Sequence, residues 1–273
     1  MSKLSNTFKK LKRQGDAGLI VFVTAGDPNL ETTVQTVLAL EKAGVDAVEL
    51  GIPFSDPLAD GPVIQASSER GLQSGATIPT ILDTVHTIRK HSQIPIVFMT
   101  YFNPVLQYGL ESFIKNTATA GVDGVLLTDV PPEEAGDWAF ICHQNAVDTI
   151  FLLAPTSTDE RIQQVAEMGT GFIYCVSRTG VTGEREQLPQ DLTKLVGRIR
   201  AHTNQPIVVG FGISQPEHVR AVCRDMPADA VVVGSAVVRL LNSHSNEPTK
   251  AFETLQDYIK GLKNETINTK RGR

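Results

Sequence analysis

Glu49 and Asp60 are the residues in this chain best suited to proton chemistry. They lie at either end of ELGIPFSDPLAD, inside the stretch Val48–Gln65 (VELGIPFSDPLADGPVIQ). In AGVDAVELGIPF, alternation with a period of two puts Ala47, Glu49 and Gly51 on one face of a strand and Val48 and Leu50 on the other. If Val48 and Leu50 pack against outer helices, Glu49 points into the mouth of a barrel. An ionised carboxylate without a partner is costly there. It responds with a raised pKa, which suits proton transfer near neutral pH. The competing reading is a solvated acid at a fraying strand end. Asp60, just before Gly61 and Pro62, is by type also an ordinary turn former and helix cap.

A second kind of chemistry is written in glycine. Gly180–Gly183, Gly210-Phe211-Gly212 and Gly234-Ser235 each follow a late apolar strand. In a barrel of parallel strands the last βα loops and a helix N-terminus commonly hold a phosphate. Backbone N–H groups approach the phosphate oxygens there, and Ser235 adds a hydroxyl donor. The loop Ser177–Leu188 (SRTGVTGEREQL) is long enough to act as a lid over a bound phosphate ester, and Arg178 within it is a candidate anion contact. Tyr101, Asn103, Asp129 and Tyr174 fall at or near other strand ends and are candidates to line the pocket. No predicted strand contains a lysine, which disfavours a Schiff-base aldolase. His86, His91, His143, His202, His218 and His244 form no metal-spaced pairs with carboxylates, which disfavours a metal hydrolase.

The elements that must position these groups alternate. Strands are predicted at Leu19–Thr24, Asp46–Gly51, Pro95–Thr100, Gly124–Thr128, Thr149–Ala154, Gly171–Val176, Pro206–Gly210 and Ala230–Val233, with helical periodicity between nearly all of them. Similar phrases introduce several strands: AGVDAVEL, AGVDGVLL and, more loosely, PADAVVVG. This repeated βα unit predicts an α/β fold, a single-domain (β/α)8 TIM barrel over residues 1–263. Residues 1–14 are expected to form an extra helix that closes the barrel bottom, and 264–273 a flexible, solvated tail. The segment carrying Tyr101, Asn103 and Pro104 is expected to be a loop. An open doubly wound sheet is the alternative, and the lack of GxGxxG after the first strand weighs against a dinucleotide site.

Composition narrows the class. The 273 residues are 41% hydrophobic and 20% charged, as in an ordinary soluble globular protein, and the net charge of −5 argues against a general nucleic-acid binder. No apolar run approaches a membrane span. The start, MSKLSNTFKKLKRQG, has no signal core, so secretion is not expected. The scattered Cys142, Cys175 and Cys223 read as reduced thiols. The expected location is the cytoplasm, or a plastid stroma for a plastid-encoded chain.

The segments ELGIPFSDPLADGPVIQ, FMTYFNP, LLTDVPPEE, YCVSRTGVTG, VVGFGIS and VVVGSA, in this order, resemble the tryptophan synthase alpha chain family from about Phe8 to the final helix. The resemblance implies a TIM-barrel lyase that cleaves indole-3-glycerol phosphate to indole and D-glyceraldehyde 3-phosphate. It implies no cofactor in this chain, and a beta chain partner that carries pyridoxal phosphate in an α2β2 heterotetramer. Carried over by position, Glu49 is the general acid/base and Asp60 holds the indole N–H. Phe22, Leu126 and Tyr174 line the indole pocket, and Thr182 reaches Asp60 when the lid closes. Gly183, Phe211, Gly212, Gly234 and Ser235 bind the phosphate, while Phe54–Pro57 and Asn103-Pro104 face the beta chain. A stand-alone lyase that releases free indole would use the same residues. A purely regulatory subunit has no need of both acids, and a phosphosugar isomerase leaves the apolar pocket unexplained.

Overall fold

Eight apolar segments form the strands β1 (Gly18–Thr24), β2 (Ala47–Gly51), β3 (Ile96–Thr100), β4 (Gly124–Leu127), β5 (Asp148–Leu153), β6 (Ile173–Cys175), β7 (Ile207–Val209) and β8 (Ala230–Val233). The computed structural model describes residues 2–176, 190–210, 212–226, 228–244 and 247–269. The strands pair in chain order, all parallel, and β8 returns to β1 to close a barrel. The helices are α1 (Lys3–Gln14), α2 (Leu30–Lys42), α3 (Pro62–Gln73), α4 (Ile78–Arg89), α5 (Phe102–Tyr108), α6 (Leu110–Ala120), α7 (Gly136–Gln144), α8 (Asp159–Met168), α9 (Gln190–His202), α10 (Pro216–Arg220), α11 (Ser235–Ser243) and α12 (Pro248–Asn264). A π-helical turn, Ala221–Asp225, extends α10.

Strand alternation divides the core in two. Val21, Val23, Val48, Leu50, Phe98 and Val125 point outward and pack under the helices. Ile20, Phe22, Ala47, Val97, Leu126 and Phe172 fill the barrel interior. Burial on both faces explains why the strands read as continuous apolar runs. It also explains why Glu49, with the parity of Ala47, must point inward.

Helix α1 closes the bottom. The Ser2 hydroxyl accepts the Ser5 N–H at 3.1 Å and caps the helix. Leu4, Phe8 and Leu11 are buried, with the Phe8 ring 5.9 Å from that of Phe172. The other chain end departs from expectation. Asn264 completes α12, and the carbonyl of fully buried Thr266 accepts the Ala17 N–H at 2.8 Å. The first part of the expected solvated tail is therefore packed against the entry to β1. The segment expected as a loop around Asn103 and Pro104 is helix α5. Proline is tolerated in a helix's first turn, and Asp129 Oδ1 accepts the Phe102 N–H at 2.8 Å.

The repeated phrases have a structural purpose at the barrel foot. Asp46 accepts the Leu19 N–H at 2.7 Å and pairs with Lys263. Asp123 accepts the Ile96 N–H at 2.9 Å and the Arg89 guanidinium at 3.0 Å. Asp229 accepts the Ile207 N–H at 3.0 Å and pairs with Arg200. Each aspartate latches an even strand to the odd strand before it. The cation comes from the helix that leads into that odd strand: α4 into β3, α9 into β7 and, around the closure, α12 into β1. Between β5 and β6 the same place is taken by Thr170, whose hydroxyl accepts the Thr149 N–H at 3.0 Å.

Candidate active site

Glu49 sits in the middle of β2, in register with Phe22 on β1 and Val97 on β3. Its exposure is 0%, and among the described residues neither carboxylate oxygen has a hydrogen-bond partner. Burial raises its pKa to about 8. The Tyr174 hydroxyl opposes that rise, but its approach falls short of a complete hydrogen bond. Tyr174, on β6, is itself pushed far above its ordinary value by burial and then by Glu49, so it stays neutral. Its position depends on Gly210, just after β7, because a Cβ there would stand 2.2 Å from the Tyr174 hydroxyl oxygen.

Asp60 is held by the loop between β2 and α3. Its N–H donates to the Pro57 carbonyl at 3.0 Å, and the Gln65 side-chain amide donates to its carbonyl at 2.8 Å. Gly61 and Pro62 then open α3, with proline where its missing N–H costs nothing. The Tyr101 hydroxyl donates to Asp60 Oδ2 at 2.9 Å. Burial raises Asp60 to about 6, and the Tyr101 hydrogen bond limits the rise.

Both acids face one cavity of about 520 Å³, part of it open to solvent. Phe22, Ile64, Met99, Ile213 and Val232 give it apolar walls. The Phe22 ring lies across Gly51, where a Cβ would come within 2.6 Å of it. Gly212, Gly234 and Ser235 line the same cavity, with Ser235 opening α11. The cavity therefore brings apolar walls, two acids and a helix N-terminus suited to an anion to one space.

Phe22, Glu49, Asp60, Tyr174, Gly212, Gly234 and Ser235 thus come together around one space. Leu126 does not line it. It is fully buried in the barrel interior, and its register partner on β3, Met99, reaches the cavity instead. Asn103 is exposed and Asp129 caps α5, so neither adds to the cavity wall. Thr182, Gly183, Phe211, Arg178, Gly180 and the expected lid 177–188 lie outside the described residues. Sequence reading missed Ile64, Met99, Ile213 and Val232. Strand parity carries a signal for two of them, since Met99 shares the inward parity of Val97, and Val232 that of Ala230. Among the described residues no three His, Cys, Asp or Glu side chains form a metal-ligating group, and no helix is long and apolar enough to cross a membrane.

Comparison with known proteins agrees with this geometry. The sequence profile of the family described as "Tryptophan synthase alpha chain" matches residues 8–267. A tryptophan synthase alpha chain of Geotalea daltonii is 51% identical over 247 residues, 90% of this chain and 93% of that one. The crystal structure of tryptophan synthase subunit alpha from Legionella pneumophila superposes with a TM-score of 0.90 at 32% identity, covering 97% of this chain and 98% of that one. A Pyrococcus furiosus chain, from work on mutual activation of the tryptophan synthase α2β2 complex, superposes with a TM-score of 0.84 at 40% identity, covering 90% and 98%.

Proposed function

The chain belongs to the tryptophan synthase alpha chain family, and from that premise we propose how its residues divide the work of cleaving indole-3-glycerol phosphate into indole and D-glyceraldehyde 3-phosphate. The enzyme is a lyase of tryptophan biosynthesis. Glu49 is the general acid. With its pKa near 8 it is protonated at neutral pH and delivers that proton to the indole ring carbon bearing the glycerol chain. Asp60, near 6, is ionised at the same pH. It accepts the ring N–H and stabilises the positive charge that builds as the ring is protonated. The hydroxyl next to the ring then loses its proton to Glu49 and becomes the aldehyde carbonyl. The carbon–carbon bond breaks, and its electrons return to the ring as indole. Each proton given is recovered, so Glu49 ends as it began.

Phe22 and Tyr174 bracket the ring, and Gly212, Gly234 and Ser235 hold the phosphate at the α11 N-terminus. Thr182, Gly183 and Phe211 complete this assignment from the sequence resemblance alone. The observation that carries the reading is Glu49 itself: fully buried, without a complete hydrogen bond among the described residues, and sharing one cavity with a second acid.

The partner is a tryptophan synthase beta chain in an α2β2 assembly, and pyridoxal phosphate belongs to that chain. Exposed Leu58 (88%) on the Asp60 loop and Leu106 (56%) on α5 support a partner face through Phe54–Pro57 and Asn103-Pro104. The reading places the enzyme in the cytoplasm. Indole release from indole-3-glycerol phosphate, with and without beta chain, tests it. Cleavage that rises on adding beta chain is expected. Absence of cleavage in both conditions overturns the reaction, and full turnover without beta chain overturns the dependence on a partner.

A further inference from the structure

Tyr101 is the residue through which the β3–α5 junction grips the Asp60 loop, and it does so at three points. Its hydroxyl donates to Asp60 Oδ2 at 2.9 Å and accepts the Ala59 N–H at 3.0 Å. Its ring centroid lies 5.3 Å from that of Phe54, near the start of the same loop. The side chain is 6% exposed and cannot make these contacts from another position without leaving its site. From this geometry we infer that Tyr101 is a positioning residue for the reaction: by occupying Oδ2 it turns Oδ1 of Asp60 toward the cavity, ready to accept the ring N–H of the substrate. The inference rests on the function proposed for Asp60.

The donor role is fixed by chemistry. Oδ2 must accept because the tyrosine oxygen already receives the Ala59 N–H and spends its own proton on the carboxylate. Burial, then Asp60, keep the phenol well above its ordinary value, so that proton stays in place. The Thr128 hydroxyl is the other group acting on the phenol. Among the described residues, the other titratable groups lining the cavity beside Asp60 are Glu49 and Tyr174. A hydrogen bond to a charged, buried acceptor is stronger than a neutral one, so its loss is measurable.

The test is a carbon-13 NMR titration of the aspartate carboxyls in free wild-type and Tyr101→Phe protein, with Asp60 assigned by the signal missing in Asp60→Asn. Phenylalanine keeps the ring against Phe54, and matching melting temperatures check that the fold is intact. The Asp60 midpoint, about 6 in the wild type, is expected to rise by about one pH unit in Tyr101→Phe. The acid limb of kcat/KM for indole release follows it upward while the alkaline limb set by Glu49 stays. At pH 7 the moved midpoint alone costs about twofold, and the lost aim of Asp60 brings the fall in kcat/KM to roughly tenfold. In an Asp60→Asn background the same tyrosine change has a much smaller effect. An unmoved Asp60 midpoint in a folded variant overturns the inference, as does an equal loss in both backgrounds. The titration needs no substrate, so it stands even if wild-type protein releases no indole, a result that defeats the proposed reaction instead.

Discussion

The two ends of the barrel treat acidic residues in opposite ways. At the foot, Asp46, Asp123 and Asp229 each receive a strand N–H and a cation. At the mouth, among the described residues, Glu49 receives no complete hydrogen bond and Asp60 receives a tyrosine hydroxyl at its carboxylate, with no cation acting on either. Asp123 is buried as Glu49 and Asp60 are, so burial alone does not distinguish the two ends, although Asp46 and Asp229 are only partly buried. The foot spends its charges on holding strands together. The mouth leaves a carboxyl without a cation, so that it keeps its proton at neutral pH and has one to deliver there. This matches the division in such barrels between a stabilising face and a chemical face.

Substitutions at the mouth should cost activity and those at the foot stability. The largest effect is expected from Glu49→Gln, with indole release falling by about 10²–10⁴. The same variant should be the more stable protein in alkali. Burial favours the protonated form of Glu49 in the folded chain, so wild-type stability declines as pH rises from the ordinary value of 4.5 to about 8. That interval is worth at most about 5 kcal/mol. A glutamine has no such penalty, so thermal melts at pH 6 and pH 9 should differ less in Glu49→Gln than in the wild type. Equal pH dependence in both proteins would contradict the burial argument. Next comes Gly210→Ala, whose new methyl displaces Tyr174 from Glu49. A misplacement of this size should reduce kcat/KM roughly a hundredfold, read in the same release assay with the fold checked by circular dichroism.

At the foot, Asp123→Ala leaves Arg89 buried without its carboxylate. A loss of about 3 kcal/mol is expected by urea unfolding, with kcat retained in the folded fraction. A large fall in kcat with stability unchanged would erase the distinction between the two ends. The smallest effect belongs to Thr170→Val, which removes the neutral latch between β5 and β6. It should cost about 1 kcal/mol and leave indole release untouched.

The inward aim of Glu49 was legible because the period of a strand fixes side, and Val48 and Leu50 had to be covered. The barrel was legible from the recurrence of helix end, turn and strand start. The purpose of the aspartate inside each repeat was not, because its partners lie on the preceding strand and on a distant helix, and local pattern carries no cross-strand register. Helix α5 was hidden by a proline in its first turn and by a cap, Asp129, that comes from the next βα unit. Leu126 and Met99 show the same limit: both have inward parity, but only the depth of each strand in the barrel decides which one reaches the cavity.

The latches also order the chain in time. Ile96 and Asp123 are 27 residues apart, Thr149 and Thr170 21, and Ile207 and Asp229 22, so each of these strand pairs can be secured soon after it leaves the ribosome. Asp46 is different. Its cation, Lys263, arrives 217 residues later. During synthesis the first strand pair, which carries Glu49, therefore waits for the last helix before its foot is complete. A truncation that stops short of α12 leaves that module open while sparing the local latches of the others.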